Sequence, residues 1–473
     1  MFKVRRLAAL VLALPLIFMS LSIPSKAFAA PSAAITSYRV PCGSFVQYYM
    51  TQSWTDARWQ QELKSMKKAG MKYLIFSPSV SVDETSGITS AIYPTNLPEF
   101  KKGYIGVDCT DAVLRNCQKA GMKVFIALNI GSKFWNFGWN ISGTQPDAYT
   151  AYWRNNARIS NEVASELYSM YKSKYPDAFY GWYWVQEFWN YTICTNTYEG
   201  NCPASSPDSW AKDPKVYTDI IAKEAFSPVL DHLTQLDLSM PMMLSPFANQ
   251  TLCKASSNAR FWGDIIRNTR FRPGDIMAPQ DSIGAHGVTI ENLDAWTSSY
   301  KTGVDANSNL HLWSNNETFL DNGESTLLDR LVQQISITSK YAEQNITFTW
   351  NHYYSPYNTL KGFNETYMSY VKTGMIEKNP PHSVNVSSIK SSKLSDGTYK
   401  ISWHAPKDDT GIAVYNIYKG STLVSHIYAT RRDMTNTDPT LNTFCTMKEG
   451  GVYTIEAIDF AGNKSSMTSF SVL

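Results

Sequence analysis

The pentapeptide Lys-Ala-Gly-Met-Lys occurs twice, at Lys68–Lys72 and Lys119–Lys123. Each copy stands between a helical pattern and an apolar run, Tyr73-Leu-Ile-Phe76 and Val124-Phe-Ile-Ala127. Basic residues in a last helical turn, a glycine for the left-handed position and a short link define a helix-to-strand unit. Trp59, Leu63 and Met66 share one face of the first helix, a spacing that packs it on a sheet. From Cys42 to about Glu377 apolar runs keep alternating with amphipathic segments, the pattern of an α/β fold with parallel strands. Eight strands are expected: Phe45 to Tyr49, Tyr73 to Ser77, Val124 to Asn129, Gly181 to Glu187, Met242 to Phe247, Ile276 to Gln280, Leu310 to Ser314 and Ile346 to Trp350. Helices are expected near Trp153 to Lys174, Tyr217 to Leu236, Phe261 to Thr269, Ile290 to Tyr300 and Thr326 to Ala342. Eight strands with intervening helices make a (β/α)8 TIM barrel, for which about 250 residues suffice.

The two ends differ from this pattern. Lys3, Arg5 and Arg6, an apolar run from Leu7 to Leu21, and Ala27-Phe28-Ala29 match a secretory signal peptide over residues 1–29. The expectation is a secreted, extracellular protein without a membrane anchor, since a span needs about 20 apolar residues. The barrel is then assigned to residues 30–378. Beyond Lys378-Asn-Pro-Pro-His382 come short alternating runs: Tyr399–Trp403, Ala413–Tyr418, Val452–Ala457 and Ser466–Val472. Residues 379–473 therefore read as a small all-β sandwich of the immunoglobulin or fibronectin type III class. Trp403 with Ala405-Pro406 after it, Tyr415-Asn-Ile-Tyr418, and Tyr453 to Asp459 followed by Ala461-Gly-Asn463 resemble fibronectin type III modules. The resemblance implies a spacer or accessory domain, with carbohydrate binding as the lesser reading.

Composition excludes several functions. Lys3, Arg5, Arg6 and Lys26 are four of the 43 basic residues, which leaves a mature chain with one more acid than base and no basic cluster. Nucleic acid is not an expected partner. There are 14 Trp and 13% aromatic residues, which suits stacking on sugar rings as well as a large aromatic core. Of seven Cys, Cys194 and Cys202 fall in one loop that a disulfide can staple. Cys117 falls on an apolar helix face, as a buried thiol does. No spacing suggests a metal site, no Gly-rich phosphate loop or nucleophile elbow occurs, and no cofactor is implied.

The chemistry concentrates at the strand ends. Glu187 closes the aromatic run Gly181-Trp-Tyr-Trp-Val-Gln-Glu187, and Glu317 closes Leu310-His-Leu-Trp-Ser-Asn-Asn-Glu317. On strands four and seven of a barrel the two acids converge on one rim. Glycoside hydrolysis needs such a pair, one carboxyl to protonate the leaving oxygen and one carboxylate to attack the sugar carbon or activate water. The alternative for Glu187 is an acid paired with a nearby base as scaffold. Gln47, Asn129, Asn249, Gln280 and Asn315 are amides at corresponding strand ends, suited to sugar hydroxyls. Asp281 can orient a hydroxyl, tune the Glu pair, cap the next helix or act as a catalytic acid. Trp135 and Trp139 are stacking candidates in a long loop, with packing over the rim as the alternative. Trp313 is a further contact candidate on strand seven. Trp350, His352 and Tyr353 offer a stacking floor and a polar contact, His352 having a packing role as its alternative.

Acids ending strands four and seven are similar to those of the largest clan of retaining (β/α)8 glycosidases. The resemblance implies that Glu187 is the acid/base and Glu317 the nucleophile. That clan has Asn before the acid/base, where this chain has Gln186, whose amide can also donate to a sugar hydroxyl. Closer still is a family of secreted, glycosidase-like barrels catalogued as a domain of unknown function, number 4434. The stretches that carry this resemblance are Gly43-Ser-Phe-Val-Gln47, Trp59 to Met71, Gly181-Trp-Tyr with Glu187, Ala278-Pro-Gln-Asp-Ser-Ile-Gly284 and Trp313-Ser-Asn-Asn-Glu317. It implies a glycoside hydrolase acting on a poly- or oligosaccharide. The rival expectation is a non-catalytic carbohydrate-binding barrel of a cell-wall or exopolysaccharide matrix. A lyase is disfavoured, because no Arg or Lys stands at a strand end to neutralise a uronic acid.

Overall fold

The computed structural model describes residues 39–137, 145–190, 214–428 and 443–472. The signal-peptide segment, Trp139 and the proposed Cys194–Cys202 staple lie outside the described residues. Eight parallel strands close into a barrel: β1 (Gly43–Gln47), β2 (Tyr73–Ser77), β3 (Lys123–Ala127), β4 (Phe179–Trp184), β5 (Met242–Leu244), β6 (Ile276–Met277), β7 (His311–Glu317) and β8 (Gln344–Phe348). Each pairs with its neighbours in sequence, and β8 returns to β1. The chain is a TIM barrel.

The repeated pentapeptide does what its composition dictates. Gly70 and Gly121 take φ of 91° and 67°, and Met71 and Met122 donate back to the carbonyls of Met66 and Cys117 at 3.0 Å. This turns the chain from helix into strand with the last carbonyls satisfied. Trp59, Leu63 and Met66 are buried between helix and barrel, and Cys117 is fully buried.

Alternation along the strands sorts side chains into two layers. Phe45, Ile75, Phe125, Tyr183, Met243, Ile276, Trp313 and Ile346 fill the barrel interior. Leu74, Val124, Trp182, Trp184 and Met242 face outward to the helices. Gly181 sits where strands crowd: a Cβ there would lie 2.5 Å from the Pro241 carbonyl oxygen and 2.8 Å from the Phe125 ring. Gly181→Ala is therefore expected to destabilise the protein by about 1–3 kcal/mol, as overpacking does, read as a lower midpoint in denaturant.

Several strands are shorter than their apolar runs. A helical turn (Tyr48–Thr51) begins directly after β1, so Tyr48 and Tyr49 leave the sheet. Strands β5 and β6 stop just short of Ser245-Pro246 and Ala278-Pro279, where proline has no N–H for a ladder. Strand β4 ends at Trp184, and Glu187 lies beyond the regular ladder. Strand β7 instead runs through to Glu317.

The C-terminal residues form two antiparallel sheets. One contains Lys390–Lys393, Tyr399–Trp403 and Thr443–Met447; the other contains Thr422–Tyr428, Ile412–Lys419, Gly451–Asp459 and Thr468–Val472. They enclose Trp403, Tyr415, Ile417 and Ile455 as a small sandwich core. Among the described residues no helix is long and apolar enough to cross a membrane.

Candidate functional site

Strand β7 builds one wall of the barrel mouth. Its inward positions are Trp313, Asn315 and Glu317, one above the other. Trp313 lies in the interior layer, its ring 5.2 Å from Tyr73, below the reach of a ligand at the mouth. Asn315 donates to the Ser245 hydroxyl at 3.2 Å, and its own Oδ1 is buried without a hydrogen-bond partner among the described residues. Glu317 is 1% exposed and is held from several sides. Its Oε2 accepts the Ala285 N–H at 2.8 Å, and its backbone N–H donates to Asp281 at 3.2 Å. Its carbonyl accepts from Arg330 at 3.2 Å and from Gln334 at 3.1 Å.

The Ala285 N–H reaches Glu317 because the loop after β6 folds over it. Ser282 and His286 both take φ of 55°, and a Cβ on Gly284 would stand 2.5 Å from the Phe319 carbonyl oxygen and 3.1 Å from Glu317. Only glycine lets this backbone press on the carboxylate.

Glu187 enters the mouth from the opposite side. Val185 and Tyr183 face the interior, so Glu187 continues the inward side after the ladder has ended. It stays partly exposed beside the Gln280 amide. Burial pushes its carboxyl up to about 7, against the opposing hydrogen bond from Gln280. Burial likewise raises Glu317, and the charges of Asp281 and then Glu187 add to it, while the Ala285 N–H and Arg330 act the other way. The charge of Glu187 thus bears, as the smallest of these influences, on Glu317. Tyr183, beneath them, is raised by burial and by Glu187.

An aromatic rim lies beside Glu317. Ring centroids are 5.5 Å apart for Phe45 and Phe348, 6.0 Å for Phe348 and Phe319, and 5.9 Å for Phe319 and Tyr353. The series continues through His352 to Tyr49, at 5.5 Å and 6.0 Å. Burial lowers His352 to about 4, so it is a neutral ring at physiological pH. Tyr353 is raised to about 12 by burial, then by Tyr49 and Glu317. Gln47, at the end of β1, accepts from the Tyr49 hydroxyl at 2.6 Å.

The remaining residues expected at the site face elsewhere. Gln186, between inward Val185 and Glu187, points outward and donates to the Asn129 carbonyl and to Asn156 at 3.0 and 3.3 Å. Asn129 accepts from Ser160 at 2.6 Å on the helix side, because the alternation slips after β3: Leu128 packs outside and Ile130 inside. Asp281 also lies outside β6, 3% exposed, and takes four N–H donors from Asn316, Gln334, Ile283 and Glu317. Burial raises it, but those donors favour its charged form, so it is a brace for Glu317 rather than a sugar contact. Trp350 begins a helical turn (Trp350–Tyr353) and packs against Tyr367 at 5.3 Å in the outer core. Asn249 closes its own turn by accepting from the Thr251 N–H at 2.9 Å. Trp135 is partly buried beside Phe134, in the outer layer.

Ala285, Arg330, Gln334, Ser245 and Tyr49 complete the site without having been expected there. A backbone donor such as Ala285 N–H leaves no side-chain signature, and Arg330 and Gln334 come from a helix (Leu328–Thr338) behind the sheet. Gly284, in the stretch Ala278 to Gly284, was the one legible signal.

The fold and this mouth define a TIM barrel with two acids at its mouth, one just beyond β4 and one at the end of β7. The sequence profile of the family described as "Domain of unknown function (DUF4434)" matches residues 42–359, and the chain belongs to that family. No curated protein sequence matches it. Among solved structures it is similar to a proposed alpha-L-fucosidase from Bacteroides thetaiotaomicron, with 18% identity and a TM-score of 0.52 over 75% of this chain and 99% of that one. It is also similar to an endo-1,4-beta-D-mannanase from Thermotoga petrophila, with 11% identity and a TM-score of 0.41 over 65% and 87% of the two chains.

Proposed function

We propose that the protein is an exported glycoside hydrolase that cleaves a poly- or oligosaccharide by a retaining mechanism. What supports this reading is the placement of Glu187 and Glu317 at one barrel mouth: Glu187 lies beside Gln280, whose backbone bridges to Asn315, the inward residue just below Glu317 on β7. Glu187 is the acid/base. Burial raises both carboxyls, Glu317 at least as far as Glu187, so the pair holds one proton; with substrate bound it lies on Glu187, the more open of the two, which donates it to the leaving oxygen while Glu317 attacks the anomeric carbon. Water then enters, gives its proton to Glu187 and displaces Glu317. The Ala285 N–H fixes the Glu317 oxygen it holds, leaving the other for the sugar. The orphan Asn315 Oδ1 accepts a substrate hydroxyl, and the Tyr49, His352 and Tyr353 rings form a stacking wall.

The competent form carries one proton between the two glutamates, so they titrate as a pair. The expected kcat/KM profile is bell-shaped, with an alkaline limb shifted well above the ordinary carboxyl range as the pair loses its shared proton. The reading is tested by reducing-end release from a panel of polysaccharides. Release establishes the hydrolase. Retention of a glycan on the protein without any release would instead support the carbohydrate-binding barrel.

A further inference from the structure

The helix Leu328–Thr338 holds the Glu317 segment from behind. Arg330 reaches the carbonyls of Glu317 and Phe319 at 3.2 and 2.6 Å, and its Nε binds Gln334 at 3.1 Å. Gln334 in turn reaches the Glu317 carbonyl and Asp281. Yet this helix has no cap of its own: its N-cap residue is Leu327, with no side chain to receive the first N–H groups. The C-terminal sandwich supplies the missing acceptors. The carbonyls of Phe460 and Ala461 receive the N–H groups of Leu328 and Asp329, each at 3.2 Å.

The capping loop is built for this contact. The fully buried Asp459 accepts the N–H groups of Ala461, Gly462 and Asn463 at 2.7–2.8 Å, fixing the turn. Gly462 takes φ of 102°, and a Cβ there would collide with the Asp329 carboxylate. The Phe460 ring fills the space that a Cβ on Gly362 would occupy and stands 4.7 Å from Phe363. Asn463 Nδ2 donates to Glu377 at the end of the barrel. Ala413, Val414, Ile458 and Phe460 belong to the same apolar cluster as the barrel's outer core.

We propose that the sandwich is a positioning component of the catalytic centre: its loop Asp459–Asn463 caps the helix whose Arg330 and Gln334 hold Glu317. Phe460 and Ala461 are thus positioning residues, acting through that helix rather than on substrate. The activity arm rests on the hydrolase reading above, but the structural arm does not.

The test compares the full-length protein with its Gly462→Ala variant, which strains the left-handed residue and drives a methyl into Asp329. Amide exchange by mass spectrometry in residues 315–320 is expected to rise about tenfold or more, as local opening would produce. Exchange in β2 is expected to stay unchanged. On a responsive glycan kcat is expected to fall about tenfold with KM within about twofold, because only the placement of Glu317 is disturbed. Adding Arg330→Gln to Gly462→Ala is expected to lower kcat no further, the two acting through one element. If Gly462→Ala does not fold, Phe460→Ala gives the same readouts. Unchanged exchange in residues 315–320 in a folded variant overturns the proposal. A wild type that hydrolyses nothing defeats the hydrolase reading, while the exchange result still decides this one.

Discussion

Glu187→Gln is expected to lose about 10²–10⁴-fold in turnover on natural glycans, the contribution of a positioned general acid. On aryl glycosides whose leaving group departs without a proton, the first step is expected to survive. The glycosyl-enzyme then accumulates, since water has lost its base, and added azide, which needs no base, is expected to restore turnover. Glu317→Gln is expected to lose turnover with every leaving group, because the bond to the sugar no longer forms. The contrast follows from place as well as chemistry. Glu187 keeps a partly exposed edge beside Gln280, where a leaving group and water can reach it; Glu317 is braced on its backbone by Asp281, Arg330 and Gln334. Steady-state rates against a series of leaving groups separate the two roles. Equal losses for both variants across that series would contradict the assignment.

The second large effect is on stability, with opposite sign. Glu187 is raised from its ordinary 4.5 to about 7 by burial. A carboxyl raised in the folded state contributes its full relative stability below pH 4.5 and loses it as pH rises through about 7. Above that, the native protein carries the cost of a buried charge, up to roughly 3 kcal/mol for such a shift. Gln cannot ionise, so Glu187→Gln is expected to be more stable than wild type at pH 8.5, with the difference shrinking toward pH 4. Thermal melts at the two pH values read this directly. A difference that stays constant with pH would mean that Glu187 does not titrate as its surroundings require. Stability and catalysis then trade against one another at a single residue, as preorganised sites often require.

Periodicity made much of this legible in the sequence. Where a strand continues, alternation gives the side on which each residue falls, and Trp313, Asn315 and Glu317 stack inward along β7 as that rule requires. The same rule also sets Gln186 outward between Val185 and Glu187, which the likeness to an Asn before an acid/base had obscured. The phase is lost where the chain leaves the ladder. Asn129 falls where the alternation slips after Leu128, and Trp350 starts a helical turn, so both face the helices. Loops that fold back are harder still. The Ala285 N–H is aimed by two left-handed residues and the close approach of Gly284, a geometry that composition does not encode.

Asp281 illustrates the same limit for charge. Its position at the end of β6 suggested a third acid at the rim. One residue of phase puts it behind the sheet, where Asn316 and Gln334 neutralise its need for partners. It still influences the chemistry, since its charge raises Glu317. Electrostatics therefore reaches the mouth from residues that no substrate touches.

The most direct test of the central claim is reducing-end release from one responsive glycan by the wild type, Glu187→Gln and Glu317→Gln side by side, each shown to be folded. Release by the wild type that both variants lose is the predicted result. Release that survives both substitutions would contradict it.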